Sequence, residues 1–111
     1  MIVSIEEHGA VVTLSLQEER LDAHNSNELK SQLLNLFEEG KNKIIIDLAD
    51  VRFIDSSGLG ALVSGFKNAS SRDGSLKLCS LQTQVKSMFE LTRLHRVFEI
   101  FPNPEEALAS F

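Results

Sequence analysis

Three successive isoleucines, Ile44-Ile45-Ile46, followed closely by Leu48, constrain this chain more than any other feature. Side chains along a strand point alternately to opposite faces, so an unbroken β-branched run has to be shielded on both. The run predicts a central strand, covered on both faces or packed deep in a parallel sheet.

Around it, apolar positions alternate between periods of two and of 3.6. Ile2, Val3 and Ile5, then Ala10 to Leu16 after a Glu7-His8-Gly9 turn, read as an opening hairpin with Val12, Leu14 and Leu16 on one face. The stretch from Gln17 to His24 is polar apart from Leu21 and Ala23 and reads as a loop. Asn25, followed three residues later by Glu28, has the spacing of a capping box. Leu29, Leu33, Leu36 and Phe37 then share one helical face ahead of Gly40, which places a first helix at about 26–39. A second helix starts near Ser57, carries Leu59, Leu62, Val63 and Phe66 on one side, and ends at Asp73-Gly74. Leu76, Leu78 and Cys79 read as a strand, Val85, Met88, Phe89 and Leu91 as a third helix, and Val97 to Phe101 as a last strand. Pro102 and Pro104 precede a short helix at 105–110. The expected fold is α/β, a mixed, mostly parallel β-sheet with an N-terminal antiparallel hairpin and about four helices. No repeat or linker divides the 111 residues, so a single domain over 1–111 is expected.

Composition narrows the function. A formal net charge of −5 works against binding a nucleic-acid phosphate backbone. The one cysteine, Cys79, excludes an internal disulfide, suits a reducing compartment and reads as a small buried hydrophobe. No basic segment followed by an apolar stretch opens the chain, and no apolar run reaches membrane-spanning length. The expectation is a cytoplasmic protein without membrane insertion. His8, His24 and His95 are scattered without ligand spacing, so no metal site is expected.

The chemistry gathers in Ile54-Asp55-Ser56-Ser57-Gly58-Leu59-Gly60, where the apolar strand region meets a helix. First-turn N–H groups lack intrahelical partners and the helix dipole favours negative charge there, so Asp55 or Ser56 can cap. Gly58 and Gly60 allow close helix packing. The cluster holds more than one cap requires. It is not a hydrolase elbow, because Ile54 stands where Gly-x-Ser-x-Gly needs glycine. Asp22, His24 and Ser56 do not read as a triad, since acid and base two residues apart have no reason to orient each other. Gly58-x-Gly60 lacks the third glycine of a dinucleotide fingerprint, Val63 standing in its place, and Phe66 separates Gly65 from Lys67 where a P-loop needs them adjacent. These departures point away from an enzyme and from a nucleotide cofactor.

Leu21-Asp22-Ala23-x-Asn25, Ile44 to Leu48, Asp55 to Gly60, and Val85-Lys86 through Leu94 to Phe98 occur in an element order that resembles the STAS family, as in anti-sigma factor antagonists of the sporulation and general-stress type. The resemblance covers essentially the whole chain, and Asp55 to Gly60 is its most specific part. It implies that Ser56 is a phosphorylated serine flanked by Asp22 and Asp55. It also implies a partner-binding surface of Asp22, His24, Asn25, Asp55, Ser56, Ser57, Gly58 and Leu59. The implied cycle is partner switching. The unmodified protein, a monomer when free, binds an anti-sigma factor that is also a serine kinase and frees the sigma factor. Phosphorylation breaks that complex, and a PP2C-type phosphatase restores it, with ATP and magnesium belonging to the kinase. A lipid-transport accessory subunit or a signalling scaffold, acting without phosphorylation, is the alternative within the family. The family usually has a glycine two or three residues before Asp22, where this chain has Glu19 and Arg20, a departure that bears on loop shape and partner preference.

Overall fold

The computed structural model describes residues 1–111. Strands β1 (Val3–His8), β2 (Val11–Leu16) and β3 (Arg20–Leu21) lead to helix α1 (Ser26–Glu38). Then come β4 (Lys43–Asp47), β5 (Phe53–Ile54), α2 (Ser56–Ser71), β6 (Ser75–Cys79), α3 (Thr83–Leu91), β7 (Ile100–Phe101) and α4 (Pro104–Ala109). A 3₁₀ turn at Leu94–Arg96 joins α3 to β7.

The isoleucine run forms β4, the middle of a five-stranded sheet ordered β1-β2-β4-β6-β7. β1 and β2 pair antiparallel as the expected hairpin, and every other neighbour in this sheet pairs parallel. Register aligns Val12 with Ile44 and Leu76, and Leu14 with Ile46 and Leu78, so these six side chains share one face. Onto that face α1 lays Leu29, Leu33, Leu36 and Phe37, α2 lays Leu59 and Leu62, and α3 lays Val85 and Phe89. Each buried aliphatic or aromatic side chain contributes about 1.5–3 kcal/mol of transfer free energy, so this layer holds the helices in place. Close approach of α2 depends on Gly65, because a Cβ there would meet Leu33 Cδ1 at 2.8 Å and Leu76 Cδ1 at 2.9 Å.

The opposite face is thinner. Val11, Ile45 and Cys79 form a small cluster under Ala107 of α4, with Phe101 and Leu108 packed beside it. Lys77, which the strand pattern left out, also lies on this face and is buried. Its ammonium donates to Ser110 Oγ at 2.8 Å and to the Ser110 carbonyl at 3.1 Å, and lies 3.4 Å from the Glu99 carboxylate. It clamps the chain end across the sheet.

Several boundaries differ from the sequence reading. The hairpin turns at Gly9-Ala10 and not at 7–9, since β1 continues through His8. The 17–24 segment is not all loop, because Arg20–Leu21 forms β3. The last strand keeps only Ile100 and Phe101 of the expected 97–101, as the 3₁₀ turn uses Leu94 to Arg96 and Phe98 turns into the core against Phe89, 5.7 Å away between ring centroids. Gly40 does stop α1, with φ +83° in the left-handed region.

Cys79 is fully buried, and desolvation pushes its thiol up from an ordinary value of 9.0 to about 11. The unfolded chain therefore loses this proton before the folded one does. Stability should fall as pH rises from about 9 to about 11. Melting temperatures across that interval should decline less steeply in Cys79→Ala than in the parent. Equal slopes would show that the buried thiol does not contribute.

Candidate functional site

The site is built on a parallel ladder of two-residue strands, β3 and β5, which register Arg20 with Phe53 and Leu21 with Ile54. Leu21 and Ile54 point into the core, while Arg20 and Phe53 stay exposed, the guanidinium 4.2 Å from the ring centroid. Backbone N–H groups of Arg52 and Phe53 donate to the Glu19 carbonyl, and that of Asp55 donates to the Leu21 carbonyl at 3.3 Å. This pairing delivers Asp22 and Asp55 to the same edge, one after each strand.

Asp55 is the N-cap of α2, its Oδ1 accepting from Gly58 N–H at 2.9 Å. Its Oδ2 accepts from Ala23 N–H at 3.3 Å. One carboxylate thus ties the 22–25 loop to the start of α2. Behind it, Gly58 lies against the Leu21 carbonyl, and a Cβ there would collide with that oxygen and approach Ile54 Cγ1 to 2.8 Å. Gly60 has nothing within 4 Å, so close packing is a property of Gly58 and Gly65 and not of Gly60.

The 22–25 loop organises itself. Asp22 Oδ1 accepts from His24 N–H at 3.0 Å and Oδ2 from Arg20 Nε at 3.2 Å. The His24 N–H, followed by Arg20, holds the Asp22 carboxyl below the usual carboxylate range. Asn25 does not make the expected capping box. Its Oδ1 accepts from Asp22 N–H at 2.9 Å and its Nδ2 donates to the Arg20 carbonyl at 2.8 Å, so the amide is fully used within the loop. Glu28 is also diverted, accepting from the Met1 ammonium at 2.8 Å.

α2 begins at Ser56, one residue before the sequence reading put it. Ser56 is exposed in the first turn, Ser57 is half-buried, and Gly58 and Leu59 are buried. Asp22, His24, Asn25, Asp55, Ser56 and Ser57 therefore line one edge, with Gly58 and Leu59 beneath them. Arg20, noted in the sequence as part of the departure before Asp22, and Phe53, which the sequence reading did not single out, flank the same edge. Their signal was an exposed residue followed by a buried one, Arg20-Leu21 and Phe53-Ile54, either side of α1 and β4.

An open depression of about 580 Å³ beside the loop is lined by Glu18, Glu19, Arg20, Asp22, His24 and Asn25, none of them apolar. Such a surface suits docking of a polar partner better than an apolar small molecule. No histidine is engaged with Ser56. His24 Nδ1 lies 3.6 Å from Asp22 Oδ1, His95 Nδ1 lies 3.3 Å from the Phe89 carbonyl, and His8 sits by Glu6. Ser56 thus stands at the start of α2 as an exposed hydroxyl with no histidine hydrogen-bonded to it.

Residues 3–107 match the family model of the STAS domain. An anti-sigma-B factor antagonist of Bacillus subtilis (strain 168) is 34% identical over 85 residues, 77% of each chain. A Thermotoga maritima protein provisionally assigned as an anti-sigma factor antagonist superposes with a TM-score of 0.89 at 30% identity, covering 97% of this chain and 92% of that one. A Bacillus cell fate determinant solved in the phosphorylated form superposes with a TM-score of 0.76 over 98% of each chain at 20% identity, a likeness of fold alone.

Three substitutions test how this edge is held. Asp55→Ala removes the cap and should cost about 0.5–2 kcal/mol. Gly58→Ala should cost about 1–3 kcal/mol by overpacking against Leu21. Gly60→Ala meets no atom and should gain up to about 1 kcal/mol from helix propensity. Urea unfolding measures all three, and a Gly58→Ala protein no less stable than its parent would contradict the packing described.

Proposed function

The chain belongs to the STAS domain family, and on that footing we propose that residues 1–111 act as one anti-sigma factor antagonist domain switched by phosphorylation of Ser56. The unmodified protein would bind an anti-sigma factor that is also a serine kinase, and so release the sigma factor. Phosphorylation would end that complex, and a PP2C-type phosphatase would renew it. The names of the relatives support antagonism; the kinase, the phosphatase and the phosphoserine are our reading. In it the protein is a substrate and binding partner, and catalysis belongs to the kinase and phosphatase.

One observation carries the proposal. The helix cap is Asp55, so the exposed Ser56 hydroxyl is free of a structural task. A phosphate there would bring about −1.5 to −2 charge to a helix N-terminus, where the dipole favours it. The fold should survive modification. The partner surface should not, because desolvating an unpaired dianion costs several kcal/mol and each 1.4 kcal/mol is tenfold in affinity. Asp22 and Asp55 beside it add to the negative field. Ser57 is a poorer acceptor, being half-buried one position further into the helix. Glu19 and Arg20 shape the loop through the Glu19 carbonyl and the Arg20–Phe53 stack, and we assign partner preference to that corner.

Ser56→Ala should bind the cognate anti-sigma kinase about as well as the parent. Ser56→Asp, with one charge where phosphate has nearly two, should bind about tenfold or more weakly, and phosphorylated protein about 100-fold or more weakly. All three should melt within a few degrees of the parent. Calorimetry with parallel thermal melts reads these outcomes, and mass spectrometry after kinase treatment locates the phosphate. A folded Ser56→Asp protein with undiminished affinity, or phosphate on Ser57 with Ser56 bare, would sink the charge switch as stated.

A further inference from the structure

The thin face of the sheet, away from α1, α2 and α3, is only partly roofed. α4 covers Ile45 and Cys79, and between α4 and the β1–β2 side lies a cleft of about 280 Å³. Glu6 of β1, Asp47 at the end of β4 and Glu105 of α4 bring carboxylates to it from three separate elements. No lysine or arginine lines it. The neighbours these acids do have are few: His8 Nε2 lies 3.4 Å from the Glu6 carboxylate, and Asp47 Oδ1 accepts from Ala49 N–H at 2.9 Å. Their field extends to Cys79, since Asp47 and Glu105 both add to the upward push on that thiol.

A second observation is independent of the charges. Thr13 on β2 is only 7% exposed and lines the floor of the same cleft. Its hydroxyl makes no hydrogen bond within the protein. No side-chain polar atom is sealed away without a partner, so that hydroxyl opens into the cleft. The cleft thus combines carboxylates from three elements with a hydroxyl that faces it and that no protein group engages.

We propose that this cleft binds an organic cation of the alkyl diamine or alkylguanidinium class. The spacing of the acids selects the class. No three His, Cys, Asp or Glu groups come close enough together to hold a metal ion, so a compact divalent ion cannot engage them at once. An extended cation reaches separate carboxylates with its nitrogen ends through charge-assisted hydrogen bonds. Its methylenes lie along Leu108, and an N–H meets Thr13.

Putrescine and agmatine are suitable probes, titrated side by side into the ¹⁵N-labelled full chain with magnesium and sodium as controls. Saturable amide shifts are expected at Thr13, Ser15, Asp47 and Leu108, and comparison of the probes tells ammonium from guanidinium preference. Asp47→Asn and Glu105→Gln should each weaken binding about tenfold by removing one charged hydrogen bond, and Thr13→Val about threefold. Glu38→Gln, on the exposed side of α1, should change nothing, and thermal melts should show every variant folded. Shifts that never saturate, that spread over other acidic surfaces, that magnesium reproduces, or that persist unchanged in Asp47→Asn and Glu105→Gln would overturn the proposal.

Discussion

Ile44, Ile45 and Ile46 leave none of their surface exposed, so the sheet containing them must be covered on both sides. Ile44 and Ile46 draw three helices to one face, and Ile45 requires something on the other. That something is short: α4 has six residues, too few to be stable alone. It is held by Ala107 packing and by its Asn103 cap, with Lys77 fixing Ser110 just beyond it. The difference between a thick helical layer and a thin strap decides where open surface remains. The thick face is filled between its helices, while the thin one keeps a cleft beside α4.

The edge that carries Ser56 follows from the same parallel arrangement. β4 ends at Asp47, and the chain that leaves it must return through β5 to start α2. Two-residue strands would not hold a loop by themselves. Here they are held by burial of Leu21 and Ile54, by contact of Gly58 with the Leu21 carbonyl, and by the two acceptor bonds of Asp55. Asp55 therefore has two structural tasks and Ser56 has none, although both stand in the same short motif. Under the proposed switch, this division would let Ser56 take up charge while the backbone beneath it stays fixed.

How much of this could be read from the residues depended on how local the cause was. β4, the three long helices and the hairpin were legible because each declares itself within ten or fifteen residues through apolar period. Ser56 and Asp55 were legible because their motif is contiguous. The β3–β5 ladder was not, since each strand is two residues long and exists only through its partner 33 positions away. Asn25 was misread for a related reason: its spacing to Glu28 satisfies a capping box, but Arg20 and Asp22 compete for the amide and Met1 takes the carboxylate. Lys77 was passed over because a lysine between leucines reads as a solvent-facing strand position. Ser110, brought back across the sheet, and the Glu99 carboxylate make its burial tolerable.

The proposed switch sets a requirement on the size of the surface around Ser56. A 100-fold change in affinity corresponds to about 2.7 kcal/mol, whereas a charge interaction left in water is worth about 1 kcal/mol or less. Phosphate at Ser56 can therefore act as a switch only if the partner excludes water from it. Specific interfaces of ordinary size take about 800 Å² from each partner. Against a total accessible surface of 5973 Å², that is roughly an eighth of this molecule. Ser56 and the 22–25 loop do not supply so much, and the footprint has to extend along the outer side of α2 and across the corner at Phe53. Phe53 is 43% exposed under the Arg20 guanidinium, and aromatic and arginine side chains are types in which interfaces are enriched. On this reasoning the serine decides whether the complex forms, while Arg20 and Phe53 contribute to which partner forms it.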